Sequence, residues 1–179
     1  MARLPVIKFE NAGKEIQSTY DAIKAKFGMV PNIFKGMANS PVVLNAYLKL
    51  DEMIAGGSFS PVEQDIVRLV VSQYNKCEYC IAAHTGSLLA KGLNKEEIME
   101  IRKEKSADAR QSALIDFALK IMKTKGFVTD NDIDTFKKAG FNNAHVAEIT
   151  VIMAQKILSN YFNHINDTDL DLPAAPEMK

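Results

Sequence analysis

Both cysteines of the 179-residue chain and one of its three histidines fall in the stretch NKCEYCIAAH, as Cys77, Cys80 and His84. Residues three or four apart share a face of a helix, so a single helix would present two sulfurs and then an imidazole in line. Sulfurs one turn apart can cycle between dithiol and disulfide after modest adjustment. An imidazole one turn beyond the second sulfur puts a base in reach of a nucleophile. Placed in the first turn of its helix, Cys77 would lie beside unpaired amides and the positive end of the dipole, which favour its thiolate. Two plainer readings use the same residues. A structural zinc would take these three as ligands, but no second pair completes the tetrahedron. Inert buried cysteines are the other, and a position at a helix start argues against inertness. No metal and no cofactor is expected.

A carboxyl group to orient the histidine must come from a neighbouring element. Apolar residues recur at three and four rather than two, with punctuation at helix lengths, so the chain reads as all-α. One helix follows Ser40-Pro41 and stops at Gly56-Gly57; the next opens at Ser60-Pro61, with Glu63 placed for a capping box, and ends near Asn75. The cysteine helix closes at Gly92. If these last two form an antiparallel hairpin turning at Asn75 and Lys76, Asp65 comes level with positions 84 to 88. Glu63 competes for the role, since helical projection puts it nearer the centre of the apolar arc, but it already has a cap to make; Asp65 is favoured.

The rest reads as further helices. Asn94 with Glu97 caps a short one, SADARQSALIDFALKIMKTKG makes a long one ending near Gly126, and Thr129 with Asp132 opens another that Gly140 ends. The last long helix has Val146, Ile149, Met153, Ile157 and Tyr161 as its expected buried stripe. A further helix spans about Lys14 to Phe27. His145 is expected at the surface and His164 in packing or dipole compensation. The eight methionines and nine phenylalanines fill core or interface. The chain is read as one domain over residues 1–179, with an N-terminal extension at 1–30 and a loose tail at 173–179.

Composition limits the partners. Lys plus Arg equals Asp plus Glu, 22 against 22, so no net field recruits nucleic acid or an anionic membrane. No run approaches the length of a membrane span, and there is no export signal, so a cytoplasmic setting with reduced thiols is expected.

The segment SPVEQDIVRLVVSQYNKCEYCIAAHTGSLLAKGL resembles the carboxymuconolactone decarboxylase superfamily, specifically its AhpD-like, peroxidase-related branch. In that branch an acidic residue stands twelve before the first cysteine, followed by C-x-x-C and a histidine four after the second; Asp65, Cys77, Cys80 and His84 occupy those positions. The likeness runs on through PNIFKGMANSPVVLNAYLKL and DFALKIMKTKGFVTDNDIDTFKKAGFNNAHVAEI, over about residues 30 to 172. It implies an AhpD-like helical bundle that assembles into trimers or hexamers. It also implies thiol-dependent peroxidase or disulfide reductase activity on hydroperoxides, in antioxidant defence, with an unidentified dithiol as reductant. In that scheme Cys80 attacks, Cys77 resolves it as a disulfide, and His84 relays protons between the acid and the sulfur; this order opposes the dipole reading. Two departures stand out. The acid is usually glutamate, one methylene longer than Asp65, and the histidine that some members carry just before the second cysteine is Tyr79 here, which points to a weak peroxidase. Lactone decarboxylation, the activity that names the superfamily, is the second enzyme reading, and the cysteine pair counts against it. A non-catalytic helical module whose disulfide switches assembly is the reading from another class.

Overall fold

Local capping chemistry sets the helix boundaries. The computed structural model describes residues 1–178, and among these there are nine α-helices, one 3-10 turn at Phe9–Asn11 and no strand. The helices are α1 (Lys14–Phe27), α2 (Asn32–Met37), α3 (Pro41–Ala55), α4 (Pro61–Tyr74), α5 (Glu78–Ala90), α6 (Lys95–Arg102), α7 (Ala109–Thr124), α8 (Asp130–Lys138) and α9 (Asn143–Asn166). Reciprocal capping boxes start four of them: Ser60 with Glu63, Asn94 with Glu97, Thr129 with Asp132, and Asn142 with His145. Each satisfies two amides that would otherwise lack partners. At the end of α8, Gly140 adopts φ 96°, and a Cβ there would stand 2.7 Å from the Arg110 guanidinium, so glycine answers both demands.

The central element is α4, which packs on α5, α7 and α9. Ile66, Val67, Leu69, Val70 and Val71 bury most of its circumference. The main core continues through α6, α7 and α8, where Phe136 stacks between Phe117 and Phe141 at centroid distances of 4.3 and 4.1 Å. A second apolar cluster gathers Ile16, Tyr20 and Ile23 of α1, Phe34 and Met37 of α2, and Leu44 of α3 around Cys77, Tyr79 and Cys80. Residues 1–30 are therefore part of the wall around the sulfurs rather than an appendage.

The last helix corrects the expected stripe. Ile149 and Met153 are buried, Val146 is half-buried, and Ile157 and Tyr161 are exposed. Steps of four residues advance the direction by about 40° beyond each full turn, so such a series winds off the buried face. That face carries instead Gln155, Lys156, Ser159, Asn160, Asn163 and Asn166. His145 is also buried, against expectation, because its ring completes the cap at Asn142 and meets Phe59 edge-on. Of the tail expected to be loose, Lys179 lies outside the described residues, and the rest is tied: Ala175 packs on the main core and Arg102 Nη1 donates to the Pro176 carbonyl. A buried guanidinium needs such acceptors. The short α2 escaped the sequence reading because six residues are too few to show a period. Among the described residues no helix is long and apolar enough to cross a membrane.

Phe136→Ala should cost about 3–5 kcal/mol, since it removes the middle ring of a stack with no room to collapse; a urea unfolding series with unchanged m-value checks this.

Candidate active site

The α4–α5 hairpin builds the site from a tight turn. Lys76 takes φ 58°, and the Cys77 amide donates to the Ser72 carbonyl at 3.0 Å, reversing the chain within two residues. Cys77 is the N-cap of α5 rather than a residue of its first turn, and Cys80 is the third helical residue. These are the two positions that a capping box brings together, so the local backbone gathers the sulfurs. Both are free and buried, Cys77 at 1% exposure and Cys80 at 2%. Two surface clefts, between α7 and α8 and beside Ile7 and Pro41, are lined by other residues.

Hairpin register brings Asp65 beneath α5. Its Oδ1 lies 3.4 Å from His84 Nδ1 and 3.3 Å from Arg68 Nη1, while Oδ2 accepts from Ser87 Oγ at 2.5 Å and from Lys91 Nζ. Asp65 is 2% exposed. Burial alone would raise its carboxyl, but hydrogen bonds from His84, Lys91 and Ser87 outweigh it and hold the group well below the usual carboxylate range. Arg68 in turn binds Asp51 at 3.0 Å, and Asp51 pairs with Lys26 at 3.0 Å. Glu63 takes no part: it caps Ser60 and pairs with Arg110 Nε of α7 at 2.7 Å, on the side of α4 that faces α7. The projection that centred Glu63 on the apolar arc fails because α5 packs on the side where Asp65 lies.

His84 is neutral near pH 7, its pKa pushed down to about 4 by burial and by the Lys156 charge, against the opposite pull of Asp65. A carboxylate facing Nδ1 fixes the proton there and leaves Nε2 as a bare acceptor.

Sequence reading missed the contribution of α9. Asn163 Nδ2 donates to Cys80 Sγ at 3.3 Å and lies 3.7 Å from Cys77 Sγ, and Ser159 Oγ is 4.0 Å from Cys80 Sγ. Lys156, 1% exposed, forms no ion pair with any carboxylate among the described residues. Hydrogen bonding from the Cys77 thiol, with the Lys156 charge behind it, outweighs burial and holds Cys80 well below the ordinary thiol value. Cys77 moves the other way, raised by its bond to Cys80 and by burial. Cys80 is thus the sulfur favoured as thiolate and Cys77 the one favoured as thiol. The dipole argument, which would favour Cys77, is overridden by the buried cation and the donated bond. Polar residues at 155, 156, 159, 160 and 163 repeat at the helical period, and that repeat was the available signal.

Asn160 fixes the register of α9 on the turn: its Oδ1 accepts from Asn75 Nδ2 at 3.0 Å and its Nδ2 donates to Ser72 Oγ at 3.3 Å. Tyr79, between the cysteines, donates from its hydroxyl to Asp171 Oδ1 at 2.7 Å, and Asp171 Oδ2 accepts from the Asn32 amide at 2.8 Å. Among the described residues no three His, Cys, Asp or Glu side chains are grouped to hold a metal ion.

Residues 41–124, which span α3 to α7 with this hairpin, match the carboxymuconolactone decarboxylase family. The match covers just under half of the chain. Its fold matches a peroxidase-related protein of Ralstonia eutropha, an alkylhydroperoxidase AhpD core, with TM-score 0.88 at 24% identity over 95% of this chain and 92% of that one. A peroxidase-related protein of Silicibacter sp. gives 0.83 at 25% identity over 93% and 89%. The debrominase Bmp8, in complex with 2,3,4-tribromopyrrole, shares the fold at 0.78 and 15% identity over 96% and 94%. No curated protein matches the chain.

Two titrations check the electrostatics. As pH falls from 6.5 toward 4, the unfolded chain binds a proton that folded His84 refuses, so stability declines across that window by on the order of 3 kcal/mol from this residue. Asp65, depressed below its ordinary 3.8, adds a further loss below that pH. Denaturant unfolding at stepped pH should show the first slope in the wild type and lose it in His84→Gln. Ultraviolet thiolate absorbance should titrate well below the ordinary value of about 8.5, and Lys156→Met should raise the midpoint by about one unit or more.

Proposed function

We propose that the protein reduces hydroperoxides through its cysteine pair, with Cys80 attacking and Cys77 resolving. The observation that supports this is the placement of the two sulfurs: both sit at the start of α5 within reach of the Asn163 amide, 3.3 Å from Cys80 and 3.7 Å from Cys77, and Cys80 is the one favoured as thiolate. A thiolate next to a thiol is the starting state that such chemistry requires.

In the first step Cys80 Sγ attacks the distal oxygen of ROOH. An S–O bond forms, the O–O bond breaks, and the electron pair leaves on the proximal oxygen as alkoxide, which takes the Cys77 proton to give ROH. Cys77, now a thiolate, attacks the sulfenic acid; the S–S bond forms and hydroxide departs, taking a proton from solvent as water. An external dithiol then reduces the disulfide by exchange. His84, neutral with Nε2 bare, accepts the proton of the attacking reductant thiol, and Asp65 holds the ring for it. Tyr79 does not replace the histidine that some AhpD-like proteins carry at its position: burial and its bond to Asp171 raise its hydroxyl beyond use as an acid near pH 7.

The setting fits a reducing cytoplasm and an assembly of several copies. Ile157, Tyr161 and Ile165 lie at four-residue spacing on the outer side of α9, all exposed, which suits a face covered by another subunit. The likeness to a debrominase gives a second reading, in which the Cys80 thiolate acts on a brominated pyrrole instead of a peroxide.

With dithiothreitol as reductant, the wild type should consume tert-butyl hydroperoxide continuously and Cys80→Ser should consume none; without reductant, Cys77→Ser should consume one equivalent and stop as a sulfenic acid visible by mass. Equal consumption by all three would overturn the proposal. Turnover of tribromopyrrole without peroxide consumption would favour the second reading.

A further inference from the structure

Asn163 is bound by only one end of its side chain. The amide Nδ2 serves the two sulfurs, at 3.3 Å from Cys80 and 3.7 Å from Cys77, but the carbonyl Oδ1 of the same group is buried and accepts no hydrogen bond, in a residue only 5% exposed. The other buried carboxamides of α9 near the turn are committed. Asn160 is used at both ends by Asn75 and Ser72, and Asn166 by the Leu4 amide and Thr168. Gln155 also has an unpaired oxygen, yet its amide binds Asp51 rather than a sulfur. An unmet acceptor in a buried site is costly and is seldom kept without a use.

We propose that Asn163 positions the substrate, its Oδ1 accepting a hydrogen bond from the O–H of the hydroperoxide while its Nδ2 holds the sulfur that attacks. This rests on the peroxidase reading above. Nitrogen and oxygen are the two ends of one planar group, so a donor held at Oδ1 lies next to the sulfur held at Nδ2. The chemistry keeps that contact. When Cys80 Sγ bonds to the distal oxygen and the O–O pair leaves on the proximal one, the distal oxygen retains its hydrogen, and the O–H of the sulfenic acid still points at Oδ1. The site therefore selects hydroperoxides, which carry a donor on the attacked atom, over dialkyl peroxides and disulfides, which leave Oδ1 unmet. From the cost of an unmet buried acceptor, the preference amounts to roughly ten- to a hundredfold.

The test compares two reagents on the reduced protein. Tert-butyl hydroperoxide carries the O–H donor; methyl methanethiosulfonate reacts with the same sulfur and has none, so the ratio of the two rates reports Oδ1 and cancels the reactivity of the thiolate. Asn163→Leu, near in shape and without polar ends, should slow both reactions and lower the ratio tenfold or more; Asn163→Ala serves if the leucine variant does not fold. Asn163→Asp keeps an acceptor oxygen and loses the N–H donor, so both rates fall while the ratio stays within about threefold of wild type. A ratio unchanged in the leucine or alanine variant, or lost equally in the aspartate variant, overturns the assignment. A wild type that takes up the thiosulfonate but not the hydroperoxide overturns the peroxidase reading itself, and this inference with it.

Discussion

A buried ammonium has to be matched by an anion, and among the described residues no carboxylate pairs with Lys156. The negative charge that answers it is the sulfur of Cys80. Much else follows from that pairing. The same cation keeps His84 from gaining a proton, so the ring is available as an acceptor. The nearby carboxylates are already engaged elsewhere, Asp65 by Arg68, Lys91, Ser87 and His84, and Asp51 by Arg68 and Lys26. Arg68 bridges the two acids, and neither of them pairs with Lys156.

Three parts of the fold converge to make this arrangement rigid. The α4–α5 hairpin sets the spacing of the cysteines, the histidine and the acid by its register alone. Helix α9 brings the cation and the amide, and Asn160 locks it onto the turn at Asn75 and Ser72. Helices α1 to α3 close the far side with an apolar cluster that keeps water from screening the charges. The polar side of α9 and the thiol of Cys77 favour the Cys80 thiolate against the cost of its burial.

The sequence makes some of this legible and hides the rest for physical reasons. Capping is a contact over three residues, so Ser60 with Glu63, Asn94 with Glu97 and Thr129 with Asp132 can be read directly. A two-helix hairpin is nearly as local, and counting outward from Asn75 and Lys76 brings Asp65 to the level of His84 and Ser87. The geometry of α9 is harder because polar residues are ordinarily placed outward; Lys156 and Asn163 break that habit where the protein has chemistry to surround. Ile157 and Tyr161 break it in the other direction. The bond from Tyr79 to Asp171 joins residues 92 positions apart, a separation over which no local pattern speaks.

That last contact ties order of synthesis to protection of the sulfurs. Asp171 clamps α2 through the Asn32 amide and the start of α5 through Tyr79, so part of the fastening of the cover over the cysteine pair comes from a residue translated nearly a hundred positions after it. On the ribosome, a chain that has not yet released Asp171 has its cysteines made but their cover unlatched. The interval in which they are open to stray oxidation is set by the time taken to translate the intervening helices.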